Sequence, residues 1–404
     1  MGDVDLVRAL GIAGISAAFL GSANDPARFS RHVRVSLPWT DPWERQEALV
    51  AALLAFASSR AQAPILFPQT DASLLLVSRH RDRLGDGFRL TLGEADLVEQ
   101  LVDKGRFQAL AARHELPVPR AQRLDPGPGQ PPPALDVLFP LVIKPLVRTP
   151  GWRRLAGGAK ALHVPGGEDF VALWRRLVDL ESAILAQELI GGPERHIESF
   201  HAYVDESGAI LGEFTGRKIR TLPPRYGHST AVEITFLPDV AELGREVLAR
   251  LSLRGVAKLD FKRDERGRLH LLEVNPRFNL WHYPGAMAGV NLPALVYADL
   301  TGRQRPPAAS VPRRVMWCDP LPDLRAAYAE GTSPLEWLRW ARGCRAMCGL
   351  AWQDPLPFVR GMLVPAVRRR LIPHRPAVTI APRADARPPG PSWPSGRPGR
   401  SGSR

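Results

Sequence analysis

Lysine is scarce in this chain. Of its 54 Lys and Arg residues only six are lysine: Lys104, Lys144, Lys160, Lys218, Lys258 and Lys262. Arginine serves wherever either cation would do, so a remaining lysine marks a place that needs a compact ammonium on a flexible stem. All six fall between 104 and 262. Cysteine is also sparse. Three residues, Cys318, Cys344 and Cys348, cannot build a disulfide framework and fit a reducing cytoplasm. Cys344 and Cys348, four apart, are expected to share a helix face and to serve as packing. No uncharged apolar run approaches the roughly 20 residues of a membrane span. The opening Met1-Gly2-Asp3-Val4-Asp5 lacks the basic-then-apolar layout of a signal peptide. Acid is what the C-terminus lacks: the last 37 residues hold nine arginines against Asp385 alone, +8 of the net +13. The basicity belongs to a tail rather than to the body. A nucleic-acid partner for the body is therefore not expected, while the tail could touch an anionic membrane or RNA.

What remains is an ordinary soluble composition, with 45% hydrophobic and 24% charged residues in 404, enough for several domains. Residues 1–94 alternate short apolar runs with helical patterns: a helix at Val4–Leu10, strands at Ile15–Leu20 and Ile65–Phe67, helices at Pro42–Ser59 and Leu74–Leu84. This is α/β patterning. It opens without the usual first strand, so a truncated unit is expected. Ala95–His114 has helical period, and Asp125–Pro133 is a Pro/Gly linker. Strands follow at Phe139–Ile143, Ala183–Ile190, His196–Val204 and from Gly208 to Lys218. Between the first two of these lie a Gly/Arg loop at 147–160 and a helix at Phe170–Asp179. Leu237–Leu251 is a helix before a hairpin at 255–275. Residues 307–371 form a Trp- and Arg-rich, mostly helical extension. Residues 372–404 are too rich in Pro, Gly, Ser and Arg to bury a core and are expected to be disordered.

The hairpin carries the sharpest chemical signal. If Arg266-Gly267 is a two-residue turn, Asp260 pairs with Glu273, their Cβ atoms roughly 5 Å apart. Facing carboxylates repel unless a cation lies between them, and Asn275 on the same face adds a third oxygen, a Mg2+-type donor set. Spacing alone leaves a second reading open, an exposed polar face whose repulsion water relieves. Lys144 ends the buried strand Phe139-Pro-Leu-Val-Ile-Lys144, and its ammonium must meet an anion such as phosphate. Gly157-Gly158-Ala159-Lys160 can bring backbone N–H groups and a further ammonium close to phosphates. Gln187-Glu188-Leu189-Ile190 runs a strand into a Gly-Gly hinge, able to present backbone groups and a carboxylate to an adenine edge. Lys258 reads as a solvated charge at a strand edge, and Lys262 is set aside with it. His228-Ser229-Thr230 lacks an evident acid partner and reads as a small-residue turn.

In this order and spacing, Asp103-Lys104, the Lys144 strand, Gly157–Lys160, the hinge 187–190, Glu194–Glu198, Arg217–Arg220 and Glu273-Val-Asn-Pro-Arg277 resemble the ATP-grasp superfamily over about 95–306. Within it the chain is most similar to carboxylate–amine ligases of the carbamoyl-phosphate-synthetase-like and D-aspartate-ligase-like kind. The resemblance implies an α/β and α+β architecture: an ATP-grasp domain at 95–306 preceded by a truncated α/β preATP-grasp domain at 1–94. It implies that Lys104 and Lys144 contact ATP phosphates and that Gly157, Gly158 and Lys160 close over them. Gln187, Glu188, Leu189 and Ile190 would hold adenine, and Glu194 or His196 the ribose. Asp260, Glu273 and Asn275 would hold Mg2+ or Mn2+. Arg220 and Arg277 would face the γ-phosphate and the substrate carboxylate, with Lys218 as companion. The implied activity joins a small-molecule carboxylate to an amine through an acylphosphate. The rivals are carboxyphosphate chemistry on bicarbonate and a non-catalytic nucleotide-binding module whose basic tail engages a membrane or RNA.

Overall fold

The computed structural model describes residues 3–364 apart from 148, 158, 181, 308, 310 and 311. The N-terminal region opens on α1 (Asp3–Ile12), followed by the parallel pair β1 (Ala17–Leu20) and β2 (Val33–Leu37). The helices α2 (Gln46–Ser58), α3 (Asp71–Arg79) and α4 (Arg81–Gly85) pack around Leu49, Val50, Leu53, Leu76 and Leu84. The connection between β1 and β2 holds only a 3-10 turn at Pro26–Phe29, and the helices follow β2. The strand expected at Ile65–Phe67 is reduced to one bridge, Ile65 to Arg89.

The helix expected over Ala95–His114 is two helices, α5 (Ala95–Val102) and α6 (Lys104–Arg113). Asp103 breaks it. Its backbone is extended, and its carboxylate accepts from the N–H groups of Gly105 and Arg106 at 2.8 and 2.9 Å, an N-cap that places Lys104 at the first position of α6. Next come β3 (Ala121–Leu124), β4 (Leu141–Pro145), α7 (Pro150–Leu155), β5 (Leu162–Val164), α8 (Gly167–Leu177) and β6 (Ile184–Glu188). The strands form an antiparallel sheet in the order β3-β6-β4-β5. Trp152, Phe170, Trp174 and Leu177 pack against its buried face with Ile143 and Ile184. A short helix, α7, thus stands inside the segment expected to be loop throughout.

The third part is a sheet of seven strands in the order β11-β10-β7-β8-β9-β12-β13. In chain order its elements are β7 (Ile197–Val204), β8 (Ile210–Leu222), β9 (His228–Ile234), α9 (Pro238–Arg250), β10 (Gly255–Arg263), β11 (Leu269–Asn275), α10 (His282–Met287), α11 (Leu292–Thr301), β12 (Val315–Cys318), α12 (Pro320–Ala329), α13 (Pro334–Ala341), β13 (Ala346–Met347) and α14 (Leu356–Phe358). Leu110, Val240, Leu248, Leu259 and Leu271 fill one core cluster, while Phe214, Val232, Trp281, Leu295 and Trp317 fill another.

The segment from 307 on was expected to be mostly helical. It does carry α12, α13 and α14, but β12 extends the main sheet antiparallel to β9. Cys344 and Cys348 flank β13 instead of sharing a helix. All three cysteines are free and buried. Arg8, 2% exposed, fastens this segment to the N-terminus. Its guanidinium donates to Asp354 Oδ2 (3.2 Å) and to the carbonyls of Met347, Gly349 and Asp354. Removing either partner of so buried a pair costs about 3–5 kcal/mol. Among the described residues no helix is long and apolar enough to cross a membrane.

Candidate active site

The β10–β11 hairpin pairs Asp260 with Glu273 and Lys258 with Asn275. The pairing is as expected, but the turn is not. Asp264 N–H bonds to Arg268 O, and the Asp264 carboxylate accepts from the N–H groups of Arg266 and Arg268, leaving a three-residue loop with Gly267 at φ +83°. That loop alone would put every pair one residue out of step. Leu272, an extra residue between Asp260↔Glu273 and Phe261↔Leu271, is a bulge that restores the register. Lys258, Asp260, Glu273 and Asn275 consequently share one face of the sheet.

Asp260 is 2% exposed, whereas Glu273 is exposed. Burial would raise the Asp260 pKa. The charges of Lys258 and Lys218, with hydrogen bonds from Lys258 and Ser199, outweigh it and hold the carboxyl well below its usual range. Lys258 Nζ reaches Asp260 Oδ2 at 2.5 Å, and Ser199 Oγ donates to Oδ1. Lys258 is therefore not a solvated edge charge: its side chain is 12% exposed and lies 5.9 Å from the Trp281 ring. Two carboxylates and one carboxamide oxygen are a hard-donor set suited to Mg2+, and an ammonium already neutralises the buried member. No group of three or more His, Cys, Asp and Glu side chains able to hold a metal occurs among the described residues, so any cation here depends on Asn275 or on a ligand's oxygens.

Lys144 lies within electrostatic reach of Glu273, Lys104, Lys218 and Lys262. Lys144 Nζ donates to Gln187 Oε1 at 2.5 Å. Burial pushes its pKa down to about 8; Glu273 opposes the shift, and Lys104, Lys218 and Lys262 add to it. Lys104 Nζ donates to the carbonyls of Pro145 and Leu146 at 2.9 and 3.1 Å. Lys262, set aside on sequence, is 6% exposed, and its pKa is lowered by burial, with Glu194, Lys218 and Arg225 within electrostatic reach. Ammonium groups buried close to one another favour the arrival of an anion.

Around this basin the expected contacts divide. Gly157 has φ +57°, and Lys160 N–H reaches Tyr226 O at 3.2 Å, so the glycine loop meets the β8–β9 turn; Gly158 lies outside the described residues. Gln187 is the partner of Lys144. Glu188 N–H bonds to Arg120 O, its side chain accepts from Leu138 N–H at 3.1 Å, and Leu189 N–H bonds to Pro140 O. The Glu188 carboxylate and the Leu189 N–H hold the 138–140 segment, and Ile190 follows as the next backbone. Glu194 and His196 lie on a single 3-10 turn, where His196 Nδ1 is buried without a partner. An added Cβ at Gly192, φ +92°, would stand 2.7 Å from that nitrogen, so only glycine fits there.

Both arginines expected to face substrate are otherwise engaged. Arg220 forms a two-point ion pair with Asp323 (2.9 and 2.6 Å) and stacks 3.8 Å from the Trp340 ring. Asp323 is fully buried and also accepts from Thr230 Oγ1 and Trp337 Nε1, so the His228–Thr230 segment is strand with a structural acid partner. Arg277 donates to Asp71 Oδ1 at 2.6 Å, to Gln69 O at 3.0 Å and to Asn275 Oδ1 at 3.3 Å. Lys218, two residues before Arg220, stays with the basin, because β8 is bulged between them. The residues that sequence reasoning missed are Lys258, Lys262, Ser199 and Asp323. The scarcity of lysine was the available signal for the first two. Two hollows, about 390 Å³ beside Trp174 and 320 Å³ beside Arg120, contain none of these side chains.

Residues 207–320 match the family described as "ATP-grasp in the biosynthetic pathway with Ter operon". D-aspartate ligase of Enterococcus faecium is 23% identical over 300 residues, 70% of each chain. The ADP complex of N5-carboxyaminoimidazole ribonucleotide synthetase superposes with a TM-score of 0.58 at 11% identity, over 78% of both chains. L-amino acid ligase of Bacillus licheniformis gives 0.56 at 15%, over 74% of this chain and 71% of that one. The antiparallel four-stranded sheet and the larger sheet that carries the β10–β11 hairpin at its edge thus have the fold of these structures, and residues 207–320 match an ATP-grasp family.

Proposed function

We propose that this protein is an ATP-dependent carboxylate–amine ligase that makes an amide through an acylphosphate and releases ADP and phosphate. The observation that carries the reading is the juxtaposition of Asp260, Glu273 and Asn275 with Lys144, Lys104, Lys218 and Lys262. The similarity to D-aspartate ligase, whose name is that of such an enzyme, supports it.

A carboxylate does not acylate an amine at neutral pH. Phosphorylating it creates a leaving group, and the enzyme's work is to position the reactants and to offset charge on the γ-phosphoryl. In this proposal Lys144 and Lys104 hold the phosphates and Lys160 closes from the glycine loop. Ile190 takes the adenine edge, since Leu189 is engaged. Lys218 orients the acceptor carboxylate. Asp260, Glu273 and Asn275 would hold Mg2+, which supplies charge neutralisation at the phosphate oxygens. Lys258 keeps Asp260 ionised and aimed at the site. The amine then attacks the acylphosphate carbonyl, its proton leaves, and phosphate departs. Three buried free thiols suit a cytoplasmic location.

The test is ADP release across a panel of carboxylates and amines with Mg-ATP. With the correct carboxylate and no amine, hydroxylamine should trap a hydroxamate, and 18O from the carboxylate should appear in phosphate. Release of AMP and pyrophosphate would sink the mechanism. ADP release that needs bicarbonate alone would favour carboxyphosphate chemistry. If no substrate is found, saturating Mg-ATP should still raise stability, by about 2.7 kcal/mol at a hundred times its Kd. An unmoved melt would leave no nucleotide site.

A further inference from the structure

We infer that the C-terminal helical turn is a docking surface for an anionic lipid bilayer, which holds the enzyme peripherally on a membrane. This goes beyond the proposed reaction and does not depend on it. From Leu356 the chain is helical through α14 and on to Val364. Leu356, Val359, Leu363 and Val364 are exposed along this element, which is π-helical over Val359–Leu363, and Leu350 just before it is exposed too. Trp352, just before the helix, is 95% exposed.

The opposite side of this helix is seated. Pro357 is buried, and a Cβ added at Gly361 would stand 2.6 Å from Pro26 Cα, so the glycine permits close approach to the 3-10 turn at Pro26–Phe29. Asp354 anchors the base: besides Arg8 it accepts from Ser30 Oγ and Arg31 N–H, both at 2.8 Å. The apolar stripe is thus the outer face of a fixed element.

Charge identifies the occupant. Residues 350–404 hold ten arginines against Asp354 and Asp385, and Arg8 already neutralises Asp354. Arg360 sits within the stripe, and the sequence continues with Val367, Arg368, Arg369, Arg370, Leu371 and Ile372. Aliphatic side chains and an interfacial Trp bordered by arginine match a surface with acidic headgroups over hydrocarbon. A nucleic acid would use the arginines but leaves Leu and Val nothing to pack on. A second copy of the chain would bring like charges together.

The experiment is flotation of the full-length protein with vesicles of equimolar phosphatidylglycerol and phosphatidylcholine, and with phosphatidylcholine alone, at about 0.1 M salt. We expect binding to the acidic vesicles and at least about tenfold less to the neutral ones. Combined Leu356→Ser, Val359→Ser and Leu363→Ser should weaken binding about tenfold at unchanged charge and unchanged melting temperature. Trp352→Ser, the most exposed site, should weaken it severalfold and serves if the triple variant folds poorly. The proposal is overturned if acidic vesicles are not bound, or if the apolar variants bind like wild type, which leaves only arginine electrostatics. It is equally overturned if RNA outcompetes the vesicles, or if sedimentation shows a dimer that the triple variant dissociates.

Discussion

The lysines around Lys144 and the arginines Arg220 and Arg277 live in opposite circumstances. Burial first, and the charges of Lys104, Lys218 and Lys262 after it, lower the Lys144 pKa. Arg220 and Arg277, on β8 and just after β11, have their forks filled by Asp323 and by Asp71, Gln69 and Asn275. A cation whose charge is balanced within the fold holds structure together, while buried ammonium groups set near one another favour the arrival of an anion. The planar guanidinium, with two parallel donors, suits a permanent pair, and the ammonium on a flexible stem suits a ligand that arrives and leaves.

The comparison can be broken most forcefully at the carboxylates. Glu273→Gln should lower ATP turnover about a thousandfold, some 4 kcal/mol of barrier, with an unshifted melt. ADP release and thermal unfolding measure the two halves, and turnover like wild type would remove Glu273 from the site. Next is Arg220→Ala, which leaves Asp323 buried and unpaired and should cost about 3 kcal/mol or more of stability. Lys218→Ala should leave the melt alone and depress turnover. If the two variants exchange these phenotypes, Arg220 is the substrate residue.

The pH dependence of binding is the third expectation. The Lys144 pKa is pushed down to about 8, so the ammonium is present below that pH and lost above it. Phosphates prefer the charged form. Nucleotide affinity should therefore be high below pH 8 and fall by up to about tenfold per pH unit above it, with proton uptake on binding. Titration calorimetry in buffers of different ionisation enthalpy would show it. Lys144→Arg, charged throughout, should flatten that limb; a limb that persists belongs to another group. The smallest effect is expected at Asp71→Asn. Its pair with Arg277 is half exposed on the Asp71 side and should be worth about 1 kcal/mol or less to stability. A larger loss in the melt would show Arg277 to be a principal tie between the N-terminal region and the hairpin.

Sequence reasoning reached much of this site because strand period is local. Asp260 and Glu273 were placed opposite each other by alternation together with an assumed two-residue turn, and the pairing holds although that turn is wrong. The true three-residue loop and the Leu272 bulge cancel, and nothing in the apolar pattern distinguishes that from a plain hairpin. The Ala95–His114 helix was legible as helix but not as two, since the Asp103 cap competes with helix continuation only through its own side chain. Lys258 was misjudged because its partner is two residues away on the same strand, where like faces meet, and whether water reaches it depends on Trp281 and β7.

What the sequence by itself determined is direction: which side chains share a face, where the ammonium groups concentrate, and where the backbone must turn. These follow from fixed periods of 2 and 3.6 residues and from glycine, proline and capping residues. Only the tertiary structure decided who neutralises whom. Arg220 meets Asp323 from 103 residues away, Arg277 meets Asp71 from 206, and Arg8 meets Asp354 from 346. Spacing sets no such partner, because an ion pair requires only that two surfaces be brought together dry, and that is settled by how the layers pack.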